Sequence, residues 1–552
     1  MTVRSTRVRL LHVATVVVSC AVVLVVPSHA AAPQVTTATD AATVMAAARA
    51  LGASASEAAE VVDAYGPGPL ATSWTTTHGT LSDAADAALA RVRGADAHGL
   101  RPADYLTPVI AAAIAAPAHS AEDRLRRDVA ITVAVLRYMR HLHLGRVDPR
   151  ALGLRLETRG APPDFAVRLA EAVSVGRVGE ALDDMAPRLA LYETLVAALA
   201  RYRALLAEPL PAVPGVVKTV HVGEAYAGVH AVGRHLAALG DLDASMVPLP
   251  EATAYDETLA PAVRRFQLRH GLTPDGALGG RTLAALQVPL ATRVQQIELA
   301  LERLRWLPEL GRRPVVAVNI PMFRLWAWDA GGLSAPPAVS MAVIVGRARR
   351  TETPLFTATM TQVIFRPYWN VPASILRNET LPAVRQNPGY LASQQMEIVR
   401  GAGDDASVVP QNEAALTALA AGTLRVRQRP GPHNALGLVK FDFPNPETVF
   451  MHGTPAPSLF ARDRRDFSHG CIRVADPPAL AAWALSGVPG WTPARIAAAM
   501  AADASAQAPI GAPIDVVLFY LTAMVGPDDG QLHFADDIYG HDARLTVALA
   551  PR

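Results

Sequence analysis

RRPVVAVNIPMFRLWAWD, residues 312–329, is where the grain of this 552-residue chain changes. Upstream, apolar residues recur three and four apart, the spacing of a helix face. Here VVAVNI and FRLWAW are short Val-, Ile- and aromatic-rich runs interrupted by Pro321, the pattern of strands. AVSMAVIVG (338–346) and TATMTQVIF (357–365) repeat it, and IDVVLFYLTAMV (514–525) and QLHFADDIYG (531–540) bracket the turn PDDG as a hairpin pair. The carboxy-terminal part is therefore expected to be β-rich. Residues 373–443 interrupt it as a long irregular insertion with one helical run, NEAALTALAAG (412–422), and a Gly/Pro-rich piece, RQRPGPHNALG (427–437). Insertions of that length in a compact domain serve more often as lids than as connectors.

Working back from residue 312, LSDAADAALARVRGADAHGL (81–100) and RLRRDVAITVAVLRYMRHLHLGRVDP (124–149) predict helices that end at Gly99 and Gly145. PAVPGVV (211–217) marks a boundary. YDETLAPAVRRFQLRHGLTPDGALGGRTLAAL (255–286) predicts a small helical module whose apolar face is Ala262, Val263, Phe266 and Leu268. Trp74, Trp306 and Trp326 read as packing anchors, and His141 and His143 as satisfied core or surface residues rather than a metal pair. The length calls for several domains. A net charge of +2, with no long basic run, gives no sign of nucleic-acid binding, and the 51% hydrophobic content is that of a globular chain.

The amino terminus reads as an export leader. Arg4, Arg7 and Arg9 precede the apolar run Leu10–Val26, and Ser28-His29-Ala30 has small residues where a signal peptidase reads. An uncleaved membrane anchor and a lipid-modified Cys20 are the alternatives. Export gives the cysteine count its meaning. The chain has two cysteines, Cys20 and Cys471; removal of the leader leaves Cys471 as a single thiol with no disulfide partner.

That thiol stands in TVFMHGTPAPSLFARDRRDFSHGCIRVADP (448–477). TVFMHG should end a strand at His452, and SHGCIRV should run from a loop into another strand, which can bring His452 and Cys471 together. A nucleophilic cysteine needs a base, oxyanion donors and access. Either His452 or His469 could be the base and draw the thiol into a thiolate–imidazolium pair. Gly470 leaves its own N–H and that of Cys471 free to face an oxyanion. Arg473, two residues along the strand, should project with Cys471 and could hold a carboxylate or brace the loop. Two rival readings are a zinc site of His452, His469 and Cys471, with Asp466 a weak general base, and a non-catalytic wall-binding protein.

The same residues resemble the YkuD-type L,D-transpeptidase catalytic domain: His452-Gly453-Thr454, a spacer, then Ser468-His469-Gly470-Cys471. LERLRWLP (301–308), VIVGR (343–347), TPLF (353–356), PYWNVPASI (367–375), NPGYL (387–391) and DIYGHD (537–542) resemble segments of its large Gram-negative type, and 255–286 resembles a peptidoglycan-binding module. Arg473 stands where many relatives have Asn, and Asn387 where Asp is frequent. The resemblance implies a multi-domain α+β protein: a signal peptide or membrane anchor (1–30), a helical scaffold (36–210), a peptidoglycan-binding-like domain (218–290), and a β-rich catalytic domain (314–547) with 373–443 as capping lid. It implies Cys471 as nucleophile, His452 as proton carrier, the Gly453 carbonyl orienting that imidazole, Ser468, His469, Gly470 and Arg473 shaping the substrate and oxyanion site, and Tyr368, Trp369 and Asn370 lining the entrance. The implied activity is 3–3 cross-linking of peptidoglycan stem peptides in the periplasm, with D-Ala released, no metal or organic cofactor, wall-synthesis partners, a part in cell shape, and sensitivity to carbapenems. Carboxypeptidase action and D-amino acid exchange are the alternatives within it.

Overall fold

The computed structural model describes residues 40–65, 74–156 and 161–550. The leader read at residues 1–30 lies outside them. From Ala41 onward the chain forms one compact unit.

The first helices are α1 (Ala41–Ala50), α2 (Ala55–Tyr65), α3 (Asp83–Arg93), α4 (Pro108–Ala115), α5 (Ala121–Leu144), α6 (Phe165–Ser174), α7 (Val178–Asp183) and α8 (Ala190–Leu205). The central one, α5, starts at a reciprocal cap: Ser120 Oγ accepts from Asp123 N and Asp123 Oδ2 accepts from Ser120 N, each at 3.0 Å. It ends at Gly145, as its sequence predicts. Trp74 is fully buried and donates to Thr132 at 2.9 Å.

The small module holds α9 (Val229–Leu239), α10 (Ala260–Arg269) and α11 (Gly280–Leu286), and α12 (Leu290–Trp306) leads out of it. Ala262, Val263 and Phe266 are buried, but Leu268 is 57% exposed. Two residues past Phe266 is a rotation of about 200°, so Leu268 points outward. Gln267 occupies the interior instead, donating to Asp275, Ala277 O and Thr282.

The β-rich part contains β1 (Val315–Asn319), β2 (Arg324–Trp328), β3 (Val339–Gly346), β4 (Phe356–Phe365), β5 (Trp369–Asn370), β6 (Met396–Arg400), β7 (Ser407–Val409), β8 (Arg425–Gln428), β9 (Val439–Asp442), β10 (Met451–His452), β11 (Asp466–Ser468), β12 (Ile472–Val474), β13 (Ala506–Phe519), β14 (Ala523–Val525) and β15 (Leu532–Phe534). Nine of these strands form one sheet in the order β11-β3-β12-β10-β9-β4-β13-β1-β2, and β2 also pairs with β3, so the sheet closes on itself. Val343, Val363, Phe365, Val439, Phe441, Met451, Ile472 and Val516 fill its interior. The expected terminal hairpin is narrower than its sequence suggests. Only Ala523–Val525 pairs with Leu532–Phe534, while Ile514–Phe519 belongs to β13 of the large sheet.

The insertion is not irregular. β5-β8-β6-β7 form a separate sheet over an apolar cluster that includes Leu376, Val384, Ile398, Leu419 and Val426. This second sheet, expected as a lid, begins before residue 373, at Trp369, and β9 inside the 373–443 range belongs to the large sheet. Strands of two to five residues with charged faces leave no readable alternation.

The scaffold is fastened to the rest through a buried carboxylate. Glu302 on α12 accepts from the backbone N–H groups of Arg146 and Val147 and pairs with Arg305 at 2.9 Å, both side chains being at most 3% exposed. Glu302→Ala would strand the Arg305 charge, so an unfolding free energy lower by about 3–5 kcal/mol is expected in a denaturant titration. A change within the error of the titration would show that the carboxylate is not the fastening.

Candidate active site

β10 and β12 run parallel with Met451 opposite Ile472 and His452 opposite Arg473. On its other side His452 faces Lys440 of β9. Met451, Ile472, Val439 and Phe441 turn inward, so by strand alternation His452, Arg473 and Lys440 share the other face of the sheet. Cys471 enters β12 beside Phe450, whose carbonyl accepts from Ile472 N at 3.1 Å. His452 thus lies on β10 and Cys471 one residue before the neighbouring β12.

His452 is 5% exposed, and its Nδ1 lies 2.6 Å from the carbonyl oxygen of Gly453. A ring nitrogen at that distance from an acceptor must carry the proton, which leaves Nε2 with its lone pair. Burial, with Arg473 adding to it, pulls the imidazole down to about 3, against the carbonyls of Gly453 and Leu436. Burial likewise pushes the Cys471 thiol up, opposed by the Phe450 N–H and by Lys440 and Arg473. Both shifts favour the uncharged forms, a neutral thiol and a neutral imidazole. These shifts disfavour the thiolate–imidazolium pair expected from the sequence, the imidazole being buried and the thiol half-buried. Alkylation of Cys471 by iodoacetamide should therefore climb about tenfold per pH unit between pH 6 and 8. A rate already level at pH 6 would mean a preformed ion pair.

The loop before Cys471 turns at Gly470, whose φ of +115° suits glycine. Gly470 N donates to Ser468 Oγ at 3.1 Å, and Ser468 Oγ donates to the Cys471 carbonyl at 2.5 Å. The Gly470 N–H is thus occupied, and it is not the oxyanion donor the sequence suggested. The Cys471 N–H has no hydrogen-bond partner among the described residues and stays available. His469 Nε2 lies 2.9 Å from Glu379 of the insertion. Asp466 is engaged by Arg464 and by the backbone of Ala348. No three His, Cys, Asp or Glu side chains among the described residues are placed to share a metal ion.

Tyr368, Trp369 and Asn370 are engaged with the lid. The Arg427 guanidinium stacks on Tyr368 at 4.2 Å, Trp369 packs on the lid cluster, and Asn370 accepts from Arg425 at 3.1 Å. Three supports were missed in the sequence. Thr351 Oγ1 donates to Ser468 O at 2.9 Å. Thr353 Oγ1 accepts from Gly346 N and donates to Gly470 O, both at 2.8 Å. Tyr539 OH donates to Gly346 O and accepts from Thr353 N. These residues brace the Ser468–Cys471 loop; Thr353 and Tyr539 lie in the segments TPLF and DIYGHD, but no spacing in the sequence announces these contacts.

Comparison with known proteins finds matches along three parts of the chain. Residues 313–496 match the L,D-transpeptidase catalytic domain, YkuD; residues 59–199 match a scaffold domain; residues 226–286 match a putative peptidoglycan binding domain. A Haemophilus influenzae protein described as a putative L,D-transpeptidase is 31% identical over 257 residues, 46% of this chain. The match spans 49% of that protein, so the chain covers about half the length of this curated relative.

Proposed function

We propose, on the premise that the chain carries a YkuD-type L,D-transpeptidase catalytic domain behind a scaffold domain and a peptidoglycan-binding-type module, that it cross-links peptidoglycan stem peptides through a thioester on Cys471. The observation that supports this most is His452: its Nδ1 is committed to Gly453 O, so the unprotonated Nε2 is the atom able to take the thiol proton. As the sulfur attacks the carbonyl joining the third stem residue to terminal D-Ala, His452 takes its proton. The developing oxyanion is received by the Cys471 N–H. Collapse breaks the C–N bond, His452 returns the proton to the leaving amine, and D-Ala departs. A stem amine then attacks the thioester, His452 removes its proton, and the thiol is restored as the 3–3 bond forms. Within the proposal, Ser468 and Gly470 shape the nucleophile loop, and His469 links it to the lid. The leader-like residues 1–30 support action in the periplasm, either after cleavage or from an anchor.

The test is mass spectrometry of products after incubating the full chain with disaccharide-tetrapeptide, with and without a chelator. A dimer lighter by one D-Ala, formed equally with chelator, is expected. D-Ala release without dimer would replace cross-linking by carboxypeptidase action. Loss of activity on chelation would overturn the cysteine mechanism.

A further inference from the structure

Two arginines flank the nucleophile without a counter-charge. Arg473 lies two residues beyond Cys471, a rise of about 6.6 Å along a strand, and is in register with His452. Arg347 leaves the end of β3 immediately after Gly346, and its backbone N–H donates to Ser468 O at 3.0 Å. β3 and β12 are antiparallel with Ile344 opposite Arg473, so the ladder carries Arg347 alongside the Ser468–Cys471 loop. Arg473 stands on the strand after the thiol, and the Arg347 backbone lies beside the loop before it.

Neither side chain has a carboxylate partner or a hydrogen bond among the described residues, and the Nε of Arg473 is buried with no acceptor. The carboxylates of this region are committed elsewhere: Asp466 to Arg464, Glu379 to His469, Asp442 to Lys440, and Glu352 to the Arg349 N–H. The two cations also feel each other. Burial lowers the pKa of Arg473, Cys471 opposes this, and Arg347 lowers it further. A half-buried guanidinium beside a second one, with no anion between them, is held at a cost that a bound anion removes.

We propose, resting on the peptide-transfer reading above, that Arg347 and Arg473 form a seat for the free carboxylate of the residue that Cys471 expels. In such a substrate the carboxylate carbon is three bonds from the attacked carbonyl carbon, about 3–3.7 Å away, within one residue pair of the nucleophile along β12. A guanidinium fork matches a carboxylate in shape and charge. The seat makes the enzyme selective for stems that end at the expelled residue. A stem extended by one more residue, or capped as an amide, presents no charge there.

The experiment uses the full chain carrying Cys471→Ala, so that binding is read without turnover. Calorimetry compares disaccharide-tetrapeptide with its terminal amide. The acid should bind about 10- to 100-fold tighter than the amide. Arg347→Gln, at an exposed position, should lower affinity for the acid alone and bring the two peptides to within about threefold of each other. Arg473→Gln should do the same. Equal binding of acid and amide by the parent, equal loss of both in Arg347→Gln, or no binding of either peptide would overturn the seat. D-Ala release by the unmutated chain is measured in parallel. Its absence while acid and amide are still discriminated would refute the transfer reading and leave the seat standing. Its presence without discrimination would refute the seat alone.

Discussion

Cys471→Ala is expected to release D-Ala from tetrapeptide stems at least about 10⁴-fold more slowly than the unmutated chain, as loss of a nucleophile does elsewhere. Its melting temperature should barely move. The thiol is only partly covered, lies in a loop, and is the one described cysteine, so its truncation opens little cavity and breaks no disulfide. His452→Ala should cost about 10²- to 10⁴-fold, the range of a positioned general base. It should cost more than a preformed thiolate would suffer, because a neutral thiol depends on the imidazole for every attack. The double variant should be no slower than Cys471→Ala, since the two act as one unit. Measurable single-turnover acylation in Cys471→Ala would remove the sulfur from the mechanism.

Gly346→Ala should be nearly as damaging to activity for a steric reason. A Cβ at that position would overlap the Thr351 carbonyl oxygen and come within 2.6 Å of Thr353 N. Both neighbours are backbone, so the segment 351–353 must shift. Thr351 and Thr353 are the residues whose hydroxyls hold the carbonyls of Ser468 and Gly470. A displacement of an ångström in the nucleophile loop corresponds to about a 10²-fold loss in rate, and overpacking adds a stability loss of about 1–3 kcal/mol. Thr353→Val, which removes the hydroxyl at nearly constant volume, separates the two effects. It should slow turnover with a smaller fall in melting temperature than Gly346→Ala shows. Full activity in both variants would show that the loop holds its shape unaided.

The longer strands of the large sheet were legible because inward-facing Val, Ile, Met and Phe leave a clear pattern at 315–319 and 339–346, and the placing of His452 and Cys471 on neighbouring segments was legible from their motif. The lid sheet was not. β5 and β7 have two and three residues, and β8 presents Arg425 and Arg427, so nothing repeats. The Gly470 N–H was misassigned because a serine hydroxyl two residues back competes for it, a choice made by side-chain rotation rather than spacing. Thr353 and Tyr539 escaped notice because they act 117 and 193 positions away along the chain, on Gly470 and Gly346. The shifts of the thiol and imidazole toward their neutral forms were hidden for a related reason: burial is a property of the assembled sheet, not of the motif.

The core that joins the domains has a further consequence. Leu199 and Tyr202 of α8, Val232, Phe266 and Leu286 of the small module, Leu301 and Leu304 of α12, and Val315, Trp326, Trp328 and Phe519 of the large sheet belong to a single apolar cluster. The outer wall of the sheet is therefore an interior surface. A fragment beginning near residue 313, where the catalytic match starts, would bare that wall to water, tryptophans included. Such a piece should aggregate or need detergent, and supplying the missing segment in trans should rescue it. The small module and the large sheet share one core, so swapping the module for a relative's would mean redesigning the wall it covers.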